Sequence, residues 1–131
     1  MIVLDASAIV ELLLGTVPGR AVAARIEDPA VGLHVPHLLD LEVVQVLRRY
    51  LREGEIEAAS ASNALAELRS LDLERHAHEP LLDRIWALRA NLTAYDAAYL
   101  ALAEALDATL LTCDARLARA PGARRRVEVV R

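Results

Sequence analysis

Four carboxylates stand where a chain of alternating strands and helices builds its chemistry. Asp5 closes the apolar run Met1-Ile2-Val3-Leu4, and Asp114 closes a second run from Ala108 to Cys113. Glu42 and Asp96 each fall near the start of a strongly apolar helical stretch. An unpaired charge inside an apolar element is costly, so such acids need a partner. A divalent cation is the simplest partner for several at once, and hard oxygen ligands of this kind suit Mg²⁺ or Mn²⁺. Three or four carboxylates can hold one or two such ions. With two ions roughly 4 Å apart, one activates water and the other stabilises a leaving oxygen, which is the chemistry of phosphodiester hydrolysis.

Each acid also has a plainer role. Asp5 before Ala6-Ser7-Ala8 is a good helix N-cap, and Ser7 is placed to orient its carboxylate by a hydrogen bond. Thr93-Ala94-Tyr95-Asp96 resembles a capping box, and Asp114 can cap the turn that begins at Ala115. On the helix from about His37 to Glu53, Gln45, Arg48, Arg49 and Arg52 mark the solvent face, with Glu42 at its boundary. Asp40 lies nearer the middle of the apolar arc, or serves as a favourable charge in the first turn. Helical periodicity alone leaves Asp40 and Glu42 both open. A cap explains any one of the acids, and explains less well four that converge on one sheet edge.

The elements that must position these acids follow from apolar period and punctuation. Residues 2–5, 33–35, 71–74, 109–112 and 127–130 read as strands. Helices are expected over 6–14, 19–27, 37–53, 55–70, 80–90 and 94–106, with a short one over 115–118. Gly15 and Gly54 stop two of them and Pro36 precedes a third. Alternation of this kind predicts a single α/β domain over residues 1–131, with a mostly parallel central sheet flanked by helices on both faces. Ligand sites in such sheets lie beyond the carboxyl ends of the strands, where strand order reverses. Asp5 and Asp114 are both strand-end residues. Ala97 to Ala105 make the 94–106 helix apolar nearly all round, so it should lie close on the sheet and bring Asp96 to the same edge.

Composition narrows the chemistry. A chain of 131 residues is one domain's length and buries roughly two-thirds of its unfolded surface. Its 55% hydrophobic content exceeds the usual share, leaving apolar surface either for an internal core or for a partner. All 15 basic residues are Arg. The lack of Lys excludes a P-loop lysine, a Schiff base and the lysine that phosphoaspartate chemistry uses, while Arg suits bidentate phosphate contacts. The net charge of −4 argues against bulk polyanion binding, although ligand carboxylates contribute to it. Arg48, Arg49 and Arg52, and the C-terminal group from Arg116 to Arg131, form local basic patches. The Arg124-Arg125-Arg126 run reads as a solvated turn or a phosphate contact. The lone Cys113 forbids an internal disulfide and fits a reducing cytoplasm. No signal peptide or membrane-spanning stretch is expected.

Other constellations are weaker. His76 and His78 alternate along an expected strand and should share a face, with no third His or Cys to complete a metal set. His34 and His37 flank Pro36 and suggest packing. There is no nucleophile elbow, no glycine-rich phosphate loop, and little aromatic surface for base stacking.

Taken together, Ile2-Val3-Leu4-Asp5-Ala6-Ser7-Ala8, Pro36 with Leu38-Leu39 leading to Glu42-Val43, Thr93 to Ala103, and Leu111 to Ala118 resemble the PIN-domain family. More narrowly, they resemble the VapC-type ribonuclease toxins of type II toxin–antitoxin systems. The resemblance spans essentially the full length. It implies a metal-dependent endoribonuclease, using Mg²⁺ with Mn²⁺ also effective, that is silenced by a cognate antitoxin. By matching positions it makes Asp5, Glu42, Asp96 and Asp114 the catalytic, metal-binding acids, favours Glu42 over Asp40, and gives Ser7 and Thr112 supporting roles. It further implies a cytoplasmic homodimer that meets operator DNA only through the antitoxin. An alternative within the same chemistry is a PIN ribonuclease of RNA processing or decay, and the small size favours the toxin. A phosphoaspartate domain, and a binding module whose acids only cap helices, are readings from other classes.

Overall fold

Each strand of the sheet is a short run, and every strand pairing is parallel. The computed structural model describes the backbone of residues 1–131 and the side chains of all but Arg124. Five strands, β1 (Ile2–Leu4), β2 (Leu33–Pro36), β3 (Leu73–His76), β4 (Thr109–Thr112) and β5 (Val127–Val129), lie in the order β3-β2-β1-β4-β5. From central β1 the chain moves outward through β2 to β3, then returns to the other side of β1 for β4 and β5. Strand order therefore reverses at β1, and the crevice beyond the ends of β1 and β4 is the topological switch point.

Six α-helices connect the strands: α1 (Ala6–Leu14), α2 (Val17–Arg25), α3 (Leu38–Arg52), α4 (Ala58–Ser70), α5 (Leu82–Ala87) and α6 (Ala94–Leu106). α1 lies on β4 and gathers α2, α3 and α4; α6 lies on β1, β2 and β4 with α5 beside it. Successive residues of a strand face opposite sides, yet Ile2, Val3 and Leu4 are all buried, as are Leu110, Leu111 and Thr112. Both faces are covered, as expected for a parallel sheet. The seven consecutive buried residues Ala97–Ala103 bear out the all-round apolar reading of α6. No single helix among the described residues is long and apolar enough to cross a membrane.

Several boundaries differ from expectation for local reasons. α2 starts earlier because the Thr16 hydroxyl caps it by accepting from the Gly19 N–H, with Pro18 in the first turn. A Cβ at Gly19 would lie 1.9 Å from the Glu11 carbonyl oxygen, so only glycine lets α2 cross α1 this closely. α4 begins at Ala58, since the chain turns through Gly54 at φ +71° first. The expected 80–90 helix divides into a 3₁₀ turn, Glu79–Leu81, carrying Pro80, and the short α5. The segment expected as a helix over 115–118 is a 3₁₀ turn, Ala115–Arg119.

β3 is shifted two residues toward the C-terminus and ends at His76. His78 therefore lies beyond the strand, before the Pro80 turn, and does not share a strand face with His76. In the C-terminal arginine run, Arg126 donates to the Ala108 carbonyl and pairs with Asp107, fastening the start of β4.

Candidate active site

Asp5 leaves β1 directly into α1. Its Oδ1 accepts from the Ala8 N–H at 3.0 Å and from the Ser7 hydroxyl at 2.8 Å, and its Oδ2 accepts from the Thr112 hydroxyl at 2.6 Å. It is thus the N-cap of α1, and its carboxylate is also tied to the end of β4. Only 5% of Asp5 is exposed, and that burial pushes its pKa up to about 6. The three hydrogen bonds oppose the rise and the nearby Asp114 adds to it. Ser7 and Thr112 thus both hydrogen-bond the Asp5 carboxylate. Ser7 also accepts from the Cys113 N–H, and Thr112 from the Asp114 N–H, so two hydroxyls knit the ends of β1 and β4 together.

Glu42 projects from the second turn of α3. The buried Tyr99 hydroxyl donates to its Oε1 at 2.5 Å. Partial burial raises the Glu42 pKa, Tyr99 lowers it, and Asp96 raises it again. Burial and the Glu42 carboxylate together push the Tyr99 phenol far above its ordinary value, so it remains a donor. Asp96 lies in the first turn of α6, its N–H bonded to the Thr93 hydroxyl in the expected cap. Burial raises its pKa, as does Asp114, against the pull of Arg116 and Thr93.

Asp114 behaves differently. It caps the Ala115–Arg119 turn through the Arg116 N–H and accepts the Arg116 guanidinium at 2.6 to 3.1 Å. The Arg116 pair holds its pKa below the ordinary range. Asp40, left open by periodicity, is committed elsewhere: it accepts both the Nε and Nη2 of Arg75 on β3, at 2.7 and 2.9 Å.

Asp5, Glu42, Asp96 and Asp114 line one open cleft of about 340 Å³ at the switch point. Its walls include Tyr50, Tyr99, Glu11, Arg49 and Arg116. Among the described residues no three of the four acids bring oxygens within 4.8 Å of one another. Three acids with raised pKa values and one held low by an arginine describe a site short of positive charge. The donor set fits a hard divalent cation: all-oxygen, buried on one side, and mutually repulsive without one.

Tyr99 and Arg116 were not legible as site residues. A signal existed for each. Tyr99 stands three positions after Asp96, on the same helical side. Arg116 stands two after Asp114, within reach of a capping carboxylate.

The PIN domain family model matches residues 2–123. The chain belongs to the PIN-domain family. Within it, the chain is 46% identical to VapC ribonuclease Mb0985 of Mycobacterium bovis over 117 residues, 89% of this chain and 88% of that one. It is 43% identical to ribonuclease VapC1 of Mycobacterium tuberculosis over 130 residues, 98% and 97% of the two chains. A toxin–antitoxin complex from Klebsiella pneumoniae contains the same fold, with TM-score 0.67, 18% identity and coverage of 98% and 97%. In this PIN domain Asp5, Glu42, Asp96 and Asp114 share one cleft at the switch point of the sheet.

Proposed function

We propose that this PIN domain is a metal-dependent endoribonuclease and the toxin of a toxin–antitoxin pair. Asp5, Glu42, Asp96 and Asp114 are its catalytic acids and hold Mg²⁺, with Mn²⁺ as an effective substitute. The observation that carries the reading is the convergence of these acids on one cleft in a chain 46% identical to a VapC ribonuclease. A role in RNA processing or decay is not favoured, because both relatives above are VapC ribonucleases.

A bound divalent cation supplies an activated water and positive charge at the scissile phosphate. The chain's own residues do the rest. Ser7, Thr112 and the Ala8 N–H fix the Asp5 carboxylate, and Tyr99 fixes Glu42. Asp96 lines the same cleft from the start of α6. Arg116 pairs with the Asp114 carboxylate. Its guanidinium has the planar fork that a phosphate accepts in two bonds, and Arg49 stands on the same cleft wall.

Two groups of large apolar side chains stand exposed. They are Leu41, Val44 and Leu51 on α3, and Leu82 and Trp86 on α5 with Tyr95 in the first turn of α6. They are the surfaces on which a cognate antitoxin and a second copy of the chain would be seated.

Induced expression in a bacterial host tests the function. Growth arrest is expected with the native chain, relief with Asp96→Asn or Glu42→Gln at equal protein level. Arrest by the Asp96→Asn variant as strong as by the native chain would contradict it.

A further inference from the structure

Away from the acid cleft, β2 and β3 bring together His34 and, 40 and 42 residues later in the sequence, Glu74 and His76, all side chains of metal-ligating type. The parallel register sets His34 opposite Glu74 and Pro36 opposite His76. Since residues two apart share a face, His34, Glu74 and His76 project from the same side of this sheet edge. His34 Nδ1 lies 2.9 Å from His76 Nε2 and 3.4 Å from a Glu74 carboxylate oxygen. One ligand atom from each residue lies within 4.8 Å of the others.

These separations match the edges of a small coordination polyhedron. Zn²⁺ with bonds of roughly 2.0–2.1 Å in tetrahedral geometry spaces its ligand atoms about 3.3 Å apart. A hydrogen bond alone accounts for the triad poorly. Between neutral rings, when His76 Nε2–H donates to His34 Nδ1, that nitrogen and the Glu74 carboxylate face each other as two acceptors. Burial lowers the pKa of His34, with the His76 ring and the N-terminal ammonium acting the same way against Glu74, which favours the neutral ring a metal requires. His34 is buried, His76 is partly open and Glu74 is exposed, so an ion can enter from solvent and keep a water as its fourth ligand.

We propose that His34, Glu74 and His76 form a second metal site, for a borderline transition ion of the Zn²⁺ class, that clips the edge strand β3 to β2. Two imidazoles and one carboxylate are the donors such ions take, in contrast to the all-oxygen cleft. None of the three residues lines that cleft. The clip nevertheless reaches it through the frame. The His76 carbonyl accepts from the His37 N–H, and Arg75, between Glu74 and His76, holds Asp40 on α3 two residues before Glu42.

The test uses the full chain with Zn²⁺ and with Co²⁺ as a spectroscopic reporter. The variants are His76→Ala, Glu74→Gln, Asp96→Asn and, as a control, His78→Ala. The expected result is a ligand-field spectrum of four-coordinate Co²⁺, displaced by one equivalent of Zn²⁺, together with a Zn²⁺-induced rise in melting temperature. Both should persist in Asp96→Asn and His78→Ala. Zn²⁺ affinity should fall at least about tenfold in His76→Ala and in Glu74→Gln. Should His76→Ala prove unfolded, the Glu74→Gln titration decides alone. A four-coordinate Co²⁺ spectrum and a Zn²⁺ affinity that are unchanged in the folded His76 and Glu74 variants, or lost in Asp96→Asn, would overturn the proposal, as would the absence of a four-coordinate spectrum.

Discussion

At the scale of the residue, Asp5 carries the strain of the site. Its carboxyl titrates near 6 in the fold, against an ordinary value near 3.8. Below the lower value both folded and unfolded chains hold the proton, and Asp5 is neutral in its effect. Between the two values the unfolded chain ionises first, so stability falls as pH rises. Above about 6 the loss is complete, at roughly 3 kcal/mol without metal. Asp5→Asn should therefore stabilise the metal-free protein at pH 8, by on the order of 2 kcal/mol, and give little at pH 4. Melting in EDTA at the two pH values measures this; equal effects at both would show that Asp5 is not held against its charge. Tyr99 is the second informative residue. Tyr99→Phe keeps the ring and removes the donor to Glu42, which should cost about 1 kcal/mol of stability and at least about tenfold in cleavage rate. A rate equal to that of the native chain would remove Tyr99 from the site. Arg116→Ala should release Asp114 and tighten Mn²⁺ binding in a direct titration, and unchanged affinity would place Asp114 outside the metal set.

At the scale of the element, the site depends on how closely α1 and α2 cross. α1 carries Asp5 at its cap and Glu11 on the cleft wall, and Gly19 is the contact that lets α2 lie against it. Gly19→Ala places a methyl group inside the Glu11 carbonyl and should lower stability by about 3 kcal/mol or prevent folding, read as a fall in melting temperature or soluble yield. Most elements were legible from the apolar period. α6 and β4 have the expected bounds because Thr93 caps one and continuous burial defines the other. The errors fall where a local hydrogen bond or a long-range pairing decides. Thr16 begins α2 two residues early, and β3 shifts because its register is fixed by β2, 40 residues away. The same non-local pairing hid the His34–Glu74–His76 triad, since nothing near His76 in sequence points to His34.

At the scale of the molecule, strand order assembles the site. β1 and β4 are neighbours only because the chain crosses back over the sheet, and this brings Asp5 beside Thr112 and Asp114. Asp5, Asp96 and Asp114 stood out in the sequence because each follows a strand or opens a helix, whereas periodicity left Glu42 level with Asp40 and only the family resemblance favoured it. Which acid is held by an arginine could not be read from sequence, because Arg116 reaches Asp114 through a turn conformation that periodicity does not encode. Mn²⁺ at a hundredfold excess over its dissociation constant should stabilise the chain by about 2.7 kcal/mol, less so in Asp96→Asn. The most direct test of the central claim is cleavage of total cellular RNA by the purified protein, with Mg²⁺ or Mn²⁺ and with EDTA, beside Asp96→Asn. Discrete fragments that require both the metal and Asp96 are the predicted result. Cleavage that persists in EDTA or in the Asp96→Asn variant, or no cleavage by folded, metal-loaded protein, would contradict the account.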